Sequence, residues 1–311
     1  MMKSARNHKL AFWLTFCPPT LWMLIFLLVP ILIIGIFSFS AKQGLVDISA
    51  SWVLDNYIRA FDPVYLSVFF KSIGIAALTT LICFLIGFPV AIGIASAPKS
   101  WKPVLLMIVV LPFWVNLLIR TYALIAVFRT RGFFNFSLEW VANLFGIPFE
   151  PLTLLYNDAA VILGLVYIHL PFMILPLYAG FEGFNKSLLE AASDLGARQF
   201  KIITAIVLPI MAPSIISGCI LVFIPALGSF LTPELLGGPS SQMIANVIER
   251  QFLAANDWPF GSALSMMLIY LTFGALALRY FWLRRRYFSC LLYTSDAADD
   301  TPCVDLGGRR I

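Results

Sequence analysis

Sixteen Asp and Glu, two His and five Cys are the residues of this 311-residue chain that could act as acids, bases, ligands or nucleophiles. Their spacing matches little of that chemistry. The cysteines follow no metal or redox pattern, and Cys17, Cys83 and Cys219 fall inside apolar runs, where they read as packing residues. No G-x-x-x-x-G-K-[ST] loop is present to cradle a phosphate, and neither H-E-x-x-H nor G-x-S-x-G occurs. The chain therefore reads as non-catalytic, without a cofactor or metal of its own, and any work it does draws on a partner or an ion gradient. The most patterned polar stretch is LLEAASDLGARQFKIITAIVLPIMAP, residues 188–213. Leu188, Leu189, Ala192 and Leu195 recur at helical spacing, Gly196 breaks the run, and a second short amphipathic segment leads to Pro209. That pattern predicts two short helices with a bend between them, with Glu190 and Arg198 placed to pair with a partner protein; an ordinary interfacial helix is the alternative.

The elements that must position these residues lie in a membrane. Apolar residues make up 60% of the chain, against the ~45–50% usual for soluble domains. The charge-free runs approach the ~20 residues a membrane helix needs, and they lack the alternation of a membrane β-barrel. A soluble enzyme and a disordered chain are excluded. Six spans are predicted at about 14–39, 69–95, 103–127, 159–181, 212–232 and 261–282, an all-α polytopic protein. Lys3, Arg6, Lys9, Lys99, Lys102, Lys186, Arg198, Lys201, Arg284, Arg285 and Arg286 fall on one side, against Lys42, Arg59, Arg129, Arg131 and Arg250 on the other, which places both termini in the cytoplasm. The net charge of +5 thus reflects topology, and no basic patch points to nucleic acid. No Asp or Glu is predicted inside a span, which weighs against a gradient-driven carrier. Lys71 and Arg120 read as snorkelling anchors near outer span ends, and His169 as a packing residue. Prolines recur within spans, among them Pro112 and Pro225, in the manner of kinked helices around a cavity.

Glu190-Ala191-Ala192, then Gly196, Ile206 and Leu208-Pro209, resemble the EAA motif of ATP-binding-cassette importer permeases. The segments LDNYIRAFDPVYLSVFFKS (54–72), LPFWVNLLIRTYAL (111–124), GLVYIHLPFMILPLY (164–178), PALGSFLTPELLGG (225–238) and NDWPFGSALS (256–265) extend the likeness to the spermidine/putrescine permeases, first membrane subunit, over nearly all of 10–286. The resemblance implies a type I importer fold spanning 1–289, with a coupling loop at about 183–211. It implies that Glu190, Ala191, Ala192, Gly196, Ile206, Leu208 and Pro209 meet a cytosolic ATPase. It also implies a second permease subunit, an ATP-binding subunit dimer carrying ATP and Mg, a periplasmic or surface solute-binding protein, and a place in the bacterial cytoplasmic membrane.

A polyamine passing such a path needs anionic acceptors and aromatic faces. Asp62, Glu234 and Asp257 on the predicted outer side, with Trp114, Tyr122, Tyr167 and Phe230, are the candidates; solvated loop carboxylates and an aromatic belt are the competing readings. Another small solute, a metal, an oxyanion or an organic ion, fits the same loop, and a gradient-driven carrier fits it less well. Residues 290–311, CLLYTSDAADDTPCVDLGGRRI, resemble the translation of sequencing-adapter DNA and carry no expectation of function.

Overall fold

The structure, a computed structural model, describes residues 2–43, 47–49, 52–185, 187–239, 241–274 and 276–277. The tail at 290–311, Lys186 and Arg284–Arg286 lie outside the described residues. Apart from a short hairpin, β1 (Ala41–Gln43) and β2 (Asp47–Ser49), paired antiparallel, the described chain is helical or irregular. In order come α1 (Met2–Ser38), α2 (Asp55–Ala60), α3 (Pro63–Ser96), α4 (Lys102–Val110), α5 (Leu117–Phe128), α6 (Phe133–Leu144), α7 (Asp158–Glu182), α8 (Ser187–Asp194), α9 (Gln199–Ile202), α10 (Leu208–Leu227), α11 (Leu231–Leu236) and α12 (Ile244–Leu253). A last helix, α13, occupies 258–274.

Among the described residues four continuous stretches are long and apolar enough to cross a bilayer: Thr15–Ser38, Pro63–Ser96, Asp158–Glu182 and Gln199–Leu227. The third expected span, 103–127, is not one straight helix. Lys102–Trp114 and Leu117–Leu144 meet at 94°. Pro112 tightens the end of α4 into a 3₁₀ turn, Val115 is extended, and Asn116 caps the new helix by accepting a hydrogen bond from the Leu118 N–H at 2.8 Å. The fifth expected span begins earlier than 212, because α9, a π turn at Ile203–Val207 and α10 run on as one helix that stops at Leu227. Part of the sixth, 275 and 278–282, lies outside the described residues.

The chain divides into two units, 1–36 with 262–311, and 37–261. Within the first unit no residue of the most apolar window of α1 is buried by protein. The second unit is built on α3, α7 and α10. Their sequences are apolar on every side, so small residues decide which faces meet. Cys83 Sγ lies 3.7 Å from the Val166 carbonyl, and a Cβ on Gly87 would sit 3.0 Å from Met173, so α3 and α7 run in the same direction. Gly180 faces Met211 and Ser214 while Gly218 faces Met173, so α10 returns antiparallel. Lys102 and Glu182 close the predicted cytoplasmic end with an ion pair at 2.7 Å, and Lys71 and Asp158 close the other at 2.9 Å.

The segment between α10 and α13 is held on the predicted outer side. A Cβ on Gly164 would meet Thr232 and Leu236 at 2.9 Å, and one on Gly237 would meet Val161 at 2.8 Å, so α11 packs against the first turns of α7. The Ser72 hydroxyl, fully buried, accepts from the Ile244 N–H at 2.7 Å, satisfying one of the donors that the start of α12 leaves free. Ser72→Ala strands that buried donor, and the expected loss is about 1–3 kcal/mol, read as a lower thermal unfolding midpoint of the purified protein. An unchanged midpoint would mean that this bond does not anchor α12.

Candidate functional site

On the predicted cytoplasmic side the chain bends after α8 as the pattern predicts, but the second segment is not a separate short helix: α9 is the first turn of the long helix that runs on to Leu227. Gly196 adopts φ +77°, the Ala197 N–H reaches back to the Ala192 carbonyl at 3.1 Å, and the Gly196 N–H reaches the Ser193 carbonyl at 2.9 Å. This is a Schellman closure, which needs a left-handed residue at that position and explains the glycine. Ala192 is buried against the bundle, whereas Glu190, Ala191, Arg198 and Pro209 are exposed and Ile206 and Leu208 partly so. Pro209 brings no N–H, and its ring crowds the carbonyl one turn back, so the backbone widens into the π turn that precedes it. Leu195 and Phe200 stand out at 88% and 79% exposure, flanking the bend. They are apolar knobs beside a charged face, and the sequence pattern assigned neither a contact role. Behind the pair lies a cavity of about 550 Å³ lined by residues that include Ala95, Phe181, Leu189, Glu190 and Ile202.

The three outer carboxylates do different things. Asp62 caps α3, its Oδ1 accepting from the Val64 N–H at 2.9 Å. Asp257, 13% exposed in its side chain, accepts from Arg59 of α2 at 2.8 Å and from the Phe260 N–H at 3.3 Å, which lies in the first turn of α13. The Arg59 guanidinium also lies 3.9 Å from the Phe260 ring centroid. Desolvation works against this guanidinium, but hydrogen bonds to Asp257 and Tyr65 outweigh it and hold its pKa above the ordinary arginine value. Glu234 instead faces an open cavity, held by Asn246 at 3.0 Å and approached by Arg250 at 3.5 Å.

Arg120 lies in the first turn of α5. It follows the 94° break, 5.6 Å from the Phe113 ring centroid, and Phe113 stacks edge-on with Phe172 at 4.8 Å. Phe172 neighbours His169, which lies near the middle of α7 and is bonded through Nδ1 to the Leu165 carbonyl at 2.9 Å. His169 is thus a packing residue, and Lys71 is paired with Asp158. Of the aromatic candidates, Phe230 joins the Glu234 group, its carbonyl accepting from Asn246 at 2.9 Å. Trp114, Tyr122 and Tyr167 are exposed on the 3₁₀ turn, α5 and α7. Asn246 and Arg250 are the residues that sequence reasoning missed; their spacing of four on an amphipathic helix was the available signal. No group of three or more His, Cys, Asp or Glu able to hold a metal occurs among the described residues.

Comparison with known proteins accords with this geometry. Residues 10–287 match the family described as the binding-protein-dependent transport system inner membrane component. The spermidine/putrescine transport system permease protein PotB of Escherichia coli K12 is 41% identical over 247 residues, 79% of this chain and 88% of that protein. The Haemophilus influenzae protein of the same name is 41% identical over 245 residues, 79% of this chain and 84% of that one. In fold, the chain is similar to a crystal structure of a bacterial ABC transporter involved in the import of the acidic polysaccharide alginate, with a TM-score of 0.69, 20% identity, and 91% and 98% of the two chains covered. This chain belongs to the family of inner membrane components of binding-protein-dependent transport systems.

Proposed function

We propose that this chain is the permease subunit through which an ATP-driven importer passes polyamines, and the observation that carries the reading is its 41% identity, over 247 residues, to the spermidine/putrescine permease of Escherichia coli. A second permease subunit completes the path, a solute-binding protein delivers the cargo on the outer side, and a cytosolic subunit dimer binds ATP and Mg. Both termini are cytoplasmic, in keeping with the Lys102–Glu182 pair on the basic side of the bundle. The exposed face of α8, with Glu190, Ala191, Leu195 and, past the Gly196 closure, Arg198, docks on the ATPase, while Ala192 anchors it to α7 and α3 through the shared core. Ile206, Leu208 and Pro209 set the bend that joins this face to α10.

For the path, Glu234 is the strongest of the proposed carboxylates, because Asp62 and Asp257 are engaged as a cap and in an ion pair. The family match ends at 287, which supports reading 290–311 as no part of the permease. The test is ATP hydrolysis in proteoliposomes carrying this chain with its neighbouring permease, ATPase and binding protein. Spermidine or putrescine is expected to stimulate hydrolysis severalfold. A complex that assembles and hydrolyses ATP but responds instead to another solute would overturn the cargo.

A further inference from the structure

The Glu234 carboxylate is prepared on one side and open on the other. Asn246, fully buried, spends its side chain on the local frame: Oδ1 accepts from the Met243 N–H at 3.2 Å, and Nδ2 donates to the Phe230 carbonyl at 2.9 Å and to Glu234 Oε2 at 3.0 Å. The Phe230 carbonyl lies at the break between α10 and α11, where it also accepts from the Glu234 N–H at 3.0 Å. Arg250 holds the same oxygen only loosely. Its Nη2 is 3.5 Å away, against 2.7–2.9 Å in the three other ion pairs among the described residues, and both side chains are 45% exposed.

Beside them lies a cavity of about 390 Å³, bounded by Tyr156, Gly237, Gly238 and Gln242 along with Glu234 and Arg250. Close packing leaves both glycines no room for a side chain: a Cβ on Gly238 would sit 2.9 Å from the Tyr156 carbonyl oxygen, and one on Gly237 would sit 2.6 Å from that of Pro233. Tyr156 is held at φ +62°, a costly conformation for a non-glycine residue, by its N–H bond to the Leu236 carbonyl at 2.9 Å. The constraint presents an exposed aromatic side chain at the cavity.

We infer that Glu234 and Arg250 form an exchangeable ion pair over a subsite for a primary alkylammonium group. The arriving ammonium takes the carboxylate, Asn246 keeps that carboxylate in place, and the Arg250 guanidinium swings to solvent. Tyr156 offers a ring face to the cation. Departure of the ammonium lets Arg250 return, so the site empties without leaving a bare anion behind. The inference rests on the polyamine reading.

The test is equilibrium binding of putrescine to the assembled permease–ATPase complex in nanodiscs, with choline and Na⁺ as competitors, together with stimulated hydrolysis in the same preparations. Glu234→Gln is expected to weaken putrescine about tenfold or more, and Arg250→Gln to tighten it severalfold, the scale of gaining or losing one charge-assisted hydrogen bond. Glu234→Asp, which keeps the charge, reports any loss through misfolding by its thermal midpoint. Choline, which has no N–H to donate, and Na⁺ are expected to compete poorly. Shifts of the same sign in the Gln variants, no shift in either, or equal competition by Na⁺ would overturn the subsite while polyamine-stimulated hydrolysis kept the cargo reading. Absence of that stimulation would overturn the cargo reading itself, and the subsite with it.

Discussion

Glu190→Lys is expected to reduce cargo-stimulated ATP hydrolysis to its unstimulated rate while the protein still inserts and folds. Glu190 is exposed on α8, at the cavity behind α8 and α9, and unlike Ala192 it is not packed into the bundle, so little folding stability depends on its carboxylate. Under the proposed docking it meets the ATPase, and reversing a charge in such a contact costs about 2–5 kcal/mol, enough to uncouple the subunits. Glu139→Lys, equally exposed but on α6, controls for net charge and is expected to leave stimulation unchanged. The measurement is hydrolysis in proteoliposomes with and without loaded binding protein, alongside copurification of the ATPase. Stimulated hydrolysis surviving in Glu190→Lys would remove α8 from the coupling surface.

The second large effect is expected at Gly180. A side chain there would begin in contact with Ser214 and 2.7 Å from Met211 Cε, on the line where α7 and α10 approach most closely. The Ser214 hydroxyl can rotate away, but its Cβ, 2.8 Å off, cannot move without its backbone, so Gly180→Leu must force the helices apart. Overpacking of this kind costs about 1–3 kcal/mol when the neighbours can yield, and more when they cannot. The expected outcome is a strong fall in the yield of folded complex by size-exclusion chromatography, with Gly180→Ala showing a milder loss. Normal assembly of Gly180→Leu would show that the two helices do not need this contact.

The helical class and the bend after α8 were legible because local chemistry dictates them: long apolar runs must be helices in lipid, and a glycine after LLEAASDL closes a helix. The 94° break was less visible. Pro112 was noticed, but Asn116 as a cap four residues later was not, and a hydropathy reading passes smoothly over LPFWVNLLIR. Which faces of α3, α7 and α10 are buried was illegible for a different reason. All three are apolar all round, so periodicity carries no direction, and the glycines that choose the contact face are recognisable only against their neighbours. The roles of the outer acids depend on distant partners. Asp257 finds Arg59 across 198 positions, which no local pattern reports. Glu234 and Arg250 lie closer in sequence, yet α11 and α12 must first fold back on each other for the pair to form.

The uninterrupted helix Gln199–Leu227 carries a mechanical implication. Its 29 residues make a rod of about 43 Å, with the π turn near one end and the break before α11 at the other. Pivoted at the π turn, the remaining 20 residues, Leu208–Leu227, are a lever of about 30 Å. A tilt of only about five degrees would then carry the far tip through roughly 2.5 Å, comparable to the separation of hydrogen-bonded atoms. A small stroke at the π turn would therefore arrive beside Glu234 at a size that makes or breaks individual bonds.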